Sequence, residues 1–387
     1  MTSRLRICEI SHFFCYTAYR QKAVAMAQLT GEKELLITPA NWMEDYHGGQ
    51  TERGSSNEYI LCERRAYLNW RMWGGKRFQL FVLSPRIIGD IRAYGPDIIV
   101  VDAEPFSLLS FEVAFIRRWF LPNTCLVVHS SQNLYKHYPF PFSATEAFVM
   151  CQATALFARS EVIKQVLLLK KCSRPIYVVP HGVDSAHFSP GAKDLSAEEP
   201  VEKPLRIGYV GSLIEQKGLT ILLEAVSGMN RKFELTICGD GPQRATLETQ
   251  AGCSPVATRI RFCSSVPNRQ LPEVLRQFDV LVLPSVTMPN GKEQFGRIII
   301  EAMACGVPVL GSTCGSIPEV IGDGGMVFQE GDAAQLQACL EKLASDRSLL
   351  CRLGHQARNR VLKHYAWDRV VEQIYAIYQR CCEGSTE

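Results

Sequence analysis

A chain of 387 residues, 47% hydrophobic and 21% charged, has room for two or three domains of ordinary size with ample cores. Its formal net charge of +3 is too small to imply a nucleic-acid partner, although residues 1–195, with 22 basic and 17 acidic groups, are the half better suited to an anionic surface. The 15 cysteines include no C-x-x-C pair and read as small buried apolar residues of a reducing compartment, not a disulfide or zinc framework, and no apolar run approaches the ~18 residues of a spanning helix.

Leu5 to Ile10 predicts a first strand, and Arg4 to Ile10 lacks the form of a basic-then-apolar leader, so a cytoplasmic location is expected. Ala18 to Leu29 has a helical pattern, and Glu34 to Thr38 is the next strand. Residues 41–84 break the rhythm with Gly48-Gly49, Gly54 and Gly74-Gly75. There Arg64, Arg65, Arg71, Lys76 and Arg77 lie among Tyr67, Trp70, Trp73 and Phe78. The plain reading is an irregular β-rich excursion with a solvated basic face; the sharper one is an acceptor-side or membrane-facing surface. Alternation returns with strands at Asp97–Val101, Cys125–Val128 and Ile176–Val179, and helices at Phe106–Phe120, 142–152 and 160–170.

Residues 189–204 are polar and proline-flanked and read as a linker. Beyond it, strands are expected at 205–210, 233–238, 259–262, 280–283, 307–310 and 326–328. Helices are expected at 217–227, 270–277, 296–305, 332–344, 346–364 and 367–380. Strands alternating with helices on both sides of a linker predict two doubly wound α/β domains facing a central cleft. The division expected is 1–188, linker 189–204, 205–364, and a closing segment 365–387.

The chemistry concentrates between Glu293 and Gly311, E-Q-F-G-R-I-I-I-E-A-M-A-C-G-V-P-V-L-G. This reads as a loop, a buried helix, a turn at Gly306 and a strand. Glu293 precedes the helix and Glu301 lies eight residues on, about 2.2 turns or roughly 12 Å of rise, too far apart to share a proton. A glutamate among isoleucines needs a partner to be worth burying. The helix start near Phe295, Gly296 and Arg297 offers free N–H groups and the positive end of the helix dipole, which suits phosphate. The plain alternative is a buried helix with one salt-bridged glutamate. Ile207 to Gly218 is a strand, a glycine turn and a helix start with Lys217; it fits neither a G-x-G-x-x-G fingerprint nor a P-loop. Gly239-Asp240-Gly241-Pro242 is a turn that lets a ligand approach the backbone, or an ordinary βα turn. In the first half, His129 and Gln132 end a buried strand on its carboxyl side, where a histidine also serves as a satisfied core residue. Asp102-Ala103-Glu104 could be mistaken for a metal-binding carboxylate pair, but no other metal-ligand cluster accompanies it.

The Glu293–Glu301 stretch resembles the E-x7-E signature of the retaining family-4 glycosyltransferases (glycosyltransferase group 1 type), which have the GT-B fold of two Rossmann-like domains. The likeness extends from His12 to Phe328 and is strongest across 205–328. Cys314-Gly315-Ser316-Ile317-Pro318-Glu319 is similar to the family's G-G-x-P-E turn, with Cys314 in place of a glycine, and Pro180-His181-Gly182-Val183-Asp184 to its P-x-G-V-D segment. The resemblance implies a hexosyl-type transferase that moves a sugar from a nucleotide-diphosphate sugar to a sugar, lipid-linked or small-molecule acceptor in glycan, glycolipid or polysaccharide synthesis. It implies Lys217 and the helix start at Phe295-Gly296 on the diphosphate, Glu301 on the ribose, Glu293 on the sugar hydroxyls and His129 on the transferred sugar. Gly239 and Val266 fall near the base, and the last helix crosses back to the first domain. No metal and no cofactor beyond the donor is expected, and peripheral contact at the inner membrane face fits the basic first half. Ser212 stands where the family has a phosphate-binding arginine, a loss that Arg297 could offset. A GT-B sugar-nucleotide epimerase and a non-catalytic nucleotide-sugar-binding protein remain the alternative readings.

Overall fold

The computed structural model describes residues 4–40, 56–67, 81–191 and 202–383. They form two compact units, Met1–Pro180 with Val370–Glu387, and His181–Arg369. The division therefore falls eight residues before the expected boundary at 188, and the reason is local. Val183 N donates to Tyr365 O at 2.8 Å, and Trp367 N donates back to Val183 O at 3.2 Å. Gly182 lies so close to the Trp367 indole that a Cβ there would sit 2.3 Å from it. Phe188 is buried in the second unit's core.

The first unit runs β1 (Ile7–Ile10), α1 (Gln21–Thr30), β2 (Glu34–Pro39), β3 (Tyr59–Arg64), a short hairpin of β4 (Ala66–Tyr67) and β5 (Val82–Leu83), then α2 (Ile87–Tyr94), β6 (Ile98–Val101), α3 (Leu108–Phe120), β7 (Cys125–Ser130), α4 (Phe142–Gln152), β8 (Ala155–Ala158), α5 (Glu161–Leu169) and β9 (Ile176–Val178). Seven strands pair in parallel in the order β3-β2-β1-β6-β7-β8-β9. Most central positions are apolar on both faces, as a sheet covered on both sides requires. Two strands differ from the sequence reading. Tyr59–Arg64, inside the excursion expected to be irregular, pairs parallel with β2 along its whole length. Ala155–Ala158 has little β-branched or aromatic character beyond Phe157, yet burial between β7 and β9 makes it a strand.

The second unit runs β10 (Leu205–Val210), α6 (Leu219–Ser227), β11 (Phe233–Cys238), α7 (Arg244–Gly252), β12 (Ile260–Cys263), α8 (Leu271–Leu275), β13 (Val280–Leu283), α9 (Arg297–Ala304), β14 (Val309–Ser312), α10 (Ile317–Ile321), β15 (Gly325–Phe328), α11 (Ala333–Ser345) and α12 (Arg347–His364). Its six parallel strands take the order β12-β11-β10-β13-β14-β15. In both sheets the winding reverses beside the first strand, at β1/β6 and at β10/β13, and in such sheets ligands bind outside the carboxyl ends of the strands at that reversal. The last helix, α13 (Trp367–Glu383), belongs to the first unit from Val370 onward. There Tyr378 stacks on Phe157 of β8, ring centroids 5.9 Å apart and planes 5° from parallel, and Cys125 Sγ donates to Cys381 O at 3.3 Å.

Candidate donor site at the reversal of the second sheet

β10 ends at Val210, and the chain turns through Gly211 and Ser212 to a 3-10 turn at Glu215–Lys217. Gly218 then takes a left-handed conformation, φ +64, so close to β13 that a Cβ would lie 2.0 Å from Pro284 O. Only glycine allows that approach, and it places Lys217 at the reversal point. Lys217 Nζ lies 2.6 Å from Glu293 Oε2, and Ser285 Oγ, just past β13, donates to the same oxygen at 3.0 Å. Glu293 is buried. Its backbone is fixed as well: Glu293 N donates to Cys314 Sγ at 3.5 Å and Ser316 N donates to Glu293 O at 3.1 Å. Gly315 crosses Glu293 O at φ +60, where a Cβ would be 2.0 Å away. The Cys314–Ser316 turn thus holds Glu293, with a thiol as the acceptor of its N–H.

The second carboxylate sits inside α9. Glu301 is buried, and Arg297 Nη2, one turn earlier, lies 3.7 Å from its Oε1. Burial raises the Glu301 carboxyl above its usual range, while Arg297 and His187 pull it down. His187 was not among the sequence candidates. Gly296 is left-handed at φ +75, and no side chain caps the helix start. Phe295 is buried, with its ring 5.1 Å from His181 and 6.0 Å from Tyr365. Gly239, at the end of β11, donates its N–H to Cys263 O at 3.1 Å, and a Cβ there would meet Gly211 O at 1.9 Å. Ser212 O accepts the Tyr209 hydroxyl at 2.9 Å, and Val266 packs half-buried on the core. Lys217 and Glu293 thus form one ion pair and Arg297 and Glu301 another, while Ser212 and Gly239 lie on neighbouring strand ends.

His129 belongs to the first unit. It ends β7, is buried, and has Nδ1 3.9 Å from Asp102 Oδ1 at the end of β6. Arg159 Nη2 holds the same Asp102 oxygen at 3.1 Å. His12, after β1, is also buried; desolvation lowers its pKa to about 4 against the opposing pull of Asp102. Glu104 accepts from Ser130 Oγ at 2.9 Å and Ser131 N at 2.8 Å, and burial raises its pKa to about 7. Gln132 Nε2 donates to Leu134 O at 3.2 Å. Among the described residues no group of three or more His, Cys, Asp or Glu could hold a metal ion, and no helix is long and apolar enough to cross a membrane. In the basic-aromatic stretch, Arg64 is tied to Asp90 at 2.5 Å and Arg65 sits over the Tyr67 ring. Arg71, Lys76, Arg77, Trp70, Trp73 and Phe78 lie outside the described residues. Ser285, His187 and Arg159 were missed from sequence. The first lies two residues beyond the end of a predicted strand, a signal that was available, whereas Arg159 follows a strand whose alanines concealed it.

Residues 192–360 match the profile of the family described as glycosyl transferases group 1. This segment, less than half of the chain, is similar to the group 1 glycosyl transferases. Among curated proteins it is 29% identical over 221 residues to a D-inositol 3-phosphate glycosyltransferase of Corynebacterium jeikeium, covering 53% of this chain and 51% of that one. It is 28% identical over 228 residues to an alpha-maltose-1-phosphate synthase of Mycobacterium tuberculosis, covering 54% and 57%. The chain thus spans about half the length of the curated relatives it matches. Among solved structures it resembles a sucrose-phosphate synthase from Thermosynechococcus elongatus, TM-score 0.72 and 21% identity over 98% of this chain and 100% of that one. It also resembles Anabaena Alr3699/HepE in complex with UDP, TM-score 0.72 and 16% identity over 97% and 100%. The fold is GT-B.

Proposed function

We propose that the chain is a retaining glycosyltransferase that uses a nucleotide-diphosphate sugar as donor, binds it in the second unit, and needs no divalent metal. The observation that carries this reading is the Lys217–Glu293 pair at the reversal of the second sheet, with Ser285 on the same carboxylate. A lysine that already faces a buried carboxylate can pass its charge to a diphosphate, while the freed carboxylate accepts hydrogen bonds from sugar hydroxyls. Lys217 and the uncapped start of α9 then stabilise charge on the leaving diphosphate, an electrostatic contribution that grows as water is excluded. Glu301, inside α9, takes the ribose hydroxyls, whose hydrogen bonds favour its ionised form against the cost of burial.

Neither glutamate is assigned as nucleophile. Glu293 is engaged by Lys217 and Ser285, and Glu301 lies in the second turn of α9. Without a covalent glycosyl intermediate, the leaving phosphate takes the acceptor's proton and the acceptor oxygen forms its bond on the same face as the departing group, so configuration is retained. By resemblance His129 contacts the transferred sugar. UDP sugars come first in the search for a donor, because Alr3699/HepE was solved with UDP and with UDP-glucose. The acceptor is a sugar, a lipid-linked sugar or a small molecule.

The test is product stereochemistry by NMR with EDTA present, on the donor that releases nucleoside diphosphate. Retention at the anomeric carbon with full activity is the expected outcome. Inversion, or loss of activity that manganese restores, would sink the mechanism and return Asp102 and Glu104 to consideration as metal ligands.

A further inference from the structure

The first unit carries a cavity of about 470 Å³ at the amino ends of its strands, lined by Thr154 before β8, Pro175 before β9, the end of α4 and the last turns of α13. The carboxyl ends, with His129 and Asp102, are at the opposite edge of the same sheet, roughly 15–20 Å away for six-residue strands. Three arginines from three elements line it: Arg117 from α3, Arg174 from the loop before β9, and Arg380 from α13. No carboxylate lines it, and none of the three has a carboxylate partner among the described residues. Each guanidinium is anchored by one hydrogen bond to a backbone carbonyl. Arg117 Nε donates to Thr124 O at 2.9 Å, Arg174 Nη2 to Cys151 O at 2.5 Å, and Arg380 Nε to Ala376 O at 3.2 Å. The Arg380 guanidinium also lies 5.5 Å from the centre of the Tyr177 ring, which lines the cavity too.

We propose that this cavity is a second anion site, built for a phosphoryl-bearing ligand and separate from the donor site. Three like charges gathered in one concavity cost free energy that an anion would offset. Burial, with the neighbouring Arg118 and Arg174, already opposes the charge of Arg117. One anchoring bond per guanidinium leaves the other N–H donors of each fork for a ligand. A carboxylate offers two oxygens in one plane, whereas a phosphoryl group offers three in a tetrahedral array, the number that three converging guanidiniums can engage. The source is either a soluble phosphate ester or diphosphate, or a phospholipid headgroup.

The probe is inorganic pyrophosphate, titrated calorimetrically at low ionic strength into the full chain, a Lys217→Ala variant that disables the proposed donor site, and an Arg174→Ala/Arg380→Ala variant. Both replaced arginines are exposed, and thermal melts check the fold; Arg380→Gln alone serves if the double variant fails to fold. One binding event should survive Lys217→Ala and weaken about tenfold or more in the double variant, the scale of a lost charge-assisted contact. Pyrophosphate affinity unchanged by the double variant, or binding abolished by Lys217→Ala alone, would overturn the proposal. Co-sedimentation with phosphatidylglycerol vesicles separates the sources. Vesicle binding that pyrophosphate displaces and the double variant lacks assigns a headgroup; pyrophosphate binding without vesicle binding assigns a soluble ligand.

Discussion

Two single residues bear on the account most sharply. By resemblance, Ser212 stands where the proposed diphosphate site would take a bidentate arginine, and Arg297 lies 3.7 Å from Glu301, so its charge already has a partner. Ser212→Arg should therefore tighten nucleoside-diphosphate binding about threefold to tenfold, read by calorimetry; an unchanged or weaker affinity would mean that Arg297 completes the site unaided. Glu34 in β2 is a liability of a different kind. It is buried, neither carboxylate oxygen has a hydrogen-bond partner, and burial, followed by the neighbouring Glu9, holds its pKa well above 4.5. A raised folded-state pKa means stability that is complete below the unfolded value, near 4.5, and is lost as pH rises toward the folded value. Glu34→Gln keeps the shape and removes the ionisation. It should raise Tm at pH 7–8 by about 2–4 °C and flatten the fall of Tm above pH 5; an unchanged slope would show that Glu34 does not carry it. Glu293 and Glu301 could be picked from sequence because a carboxylate in an apolar segment is conspicuous. Glu34 could not, because at a strand's first residue a glutamate reads as solvent-facing.

At the level of elements, the site depends on turns that bring strand ends together more closely than any side chain allows. Gly218 and Gly89 form a matched test. A Cβ on Gly218 would meet Pro284 O at 2.0 Å with φ at +64, whereas one on Gly89, within α2, would meet nothing within 4 Å. Gly218→Ala should cost about 2–4 kcal/mol in denaturant unfolding and weaken nucleotide binding by moving Lys217. Gly89→Ala should be stabilising by about 0.5–1 kcal/mol, since it removes a helix-interior glycine. Equal effects would show that backbone approach does not set the site. The same turns explain what was legible. Long periodic elements such as α3, α11 and α12 lie within a few residues of where the sequence puts them. β3 was hidden by irregular flanks and β8 by alanines, because tertiary burial between neighbouring strands overrides weak local propensity. Short α10 was read as a turn; Pro318 near its start fits both.

At the level of the whole molecule, the two sheets share one winding plan, and in the second the Lys217–Glu293 pair lies at its reversal. The doubly wound plan could be read from alternation alone, but strand order could not, since it is set by which edges pair. For the same reason the Lys217–Glu293 bond, between residues 76 apart in sequence, was visible only as two separate candidates. The central claim is that the second unit binds a nucleoside diphosphate with Glu301 on the ribose and Glu293 on the sugar. The measurement that tests it most directly is calorimetric titration of a nucleoside-diphosphate panel into the full chain and its Glu301→Ala and Glu293→Gln variants. One nucleoside diphosphate should bind the unaltered chain, about tenfold or more weakly in Glu301→Ala and within about threefold in Glu293→Gln, whose turnover falls instead. Binding of none, or an affinity that Glu301→Ala leaves unchanged, would contradict it.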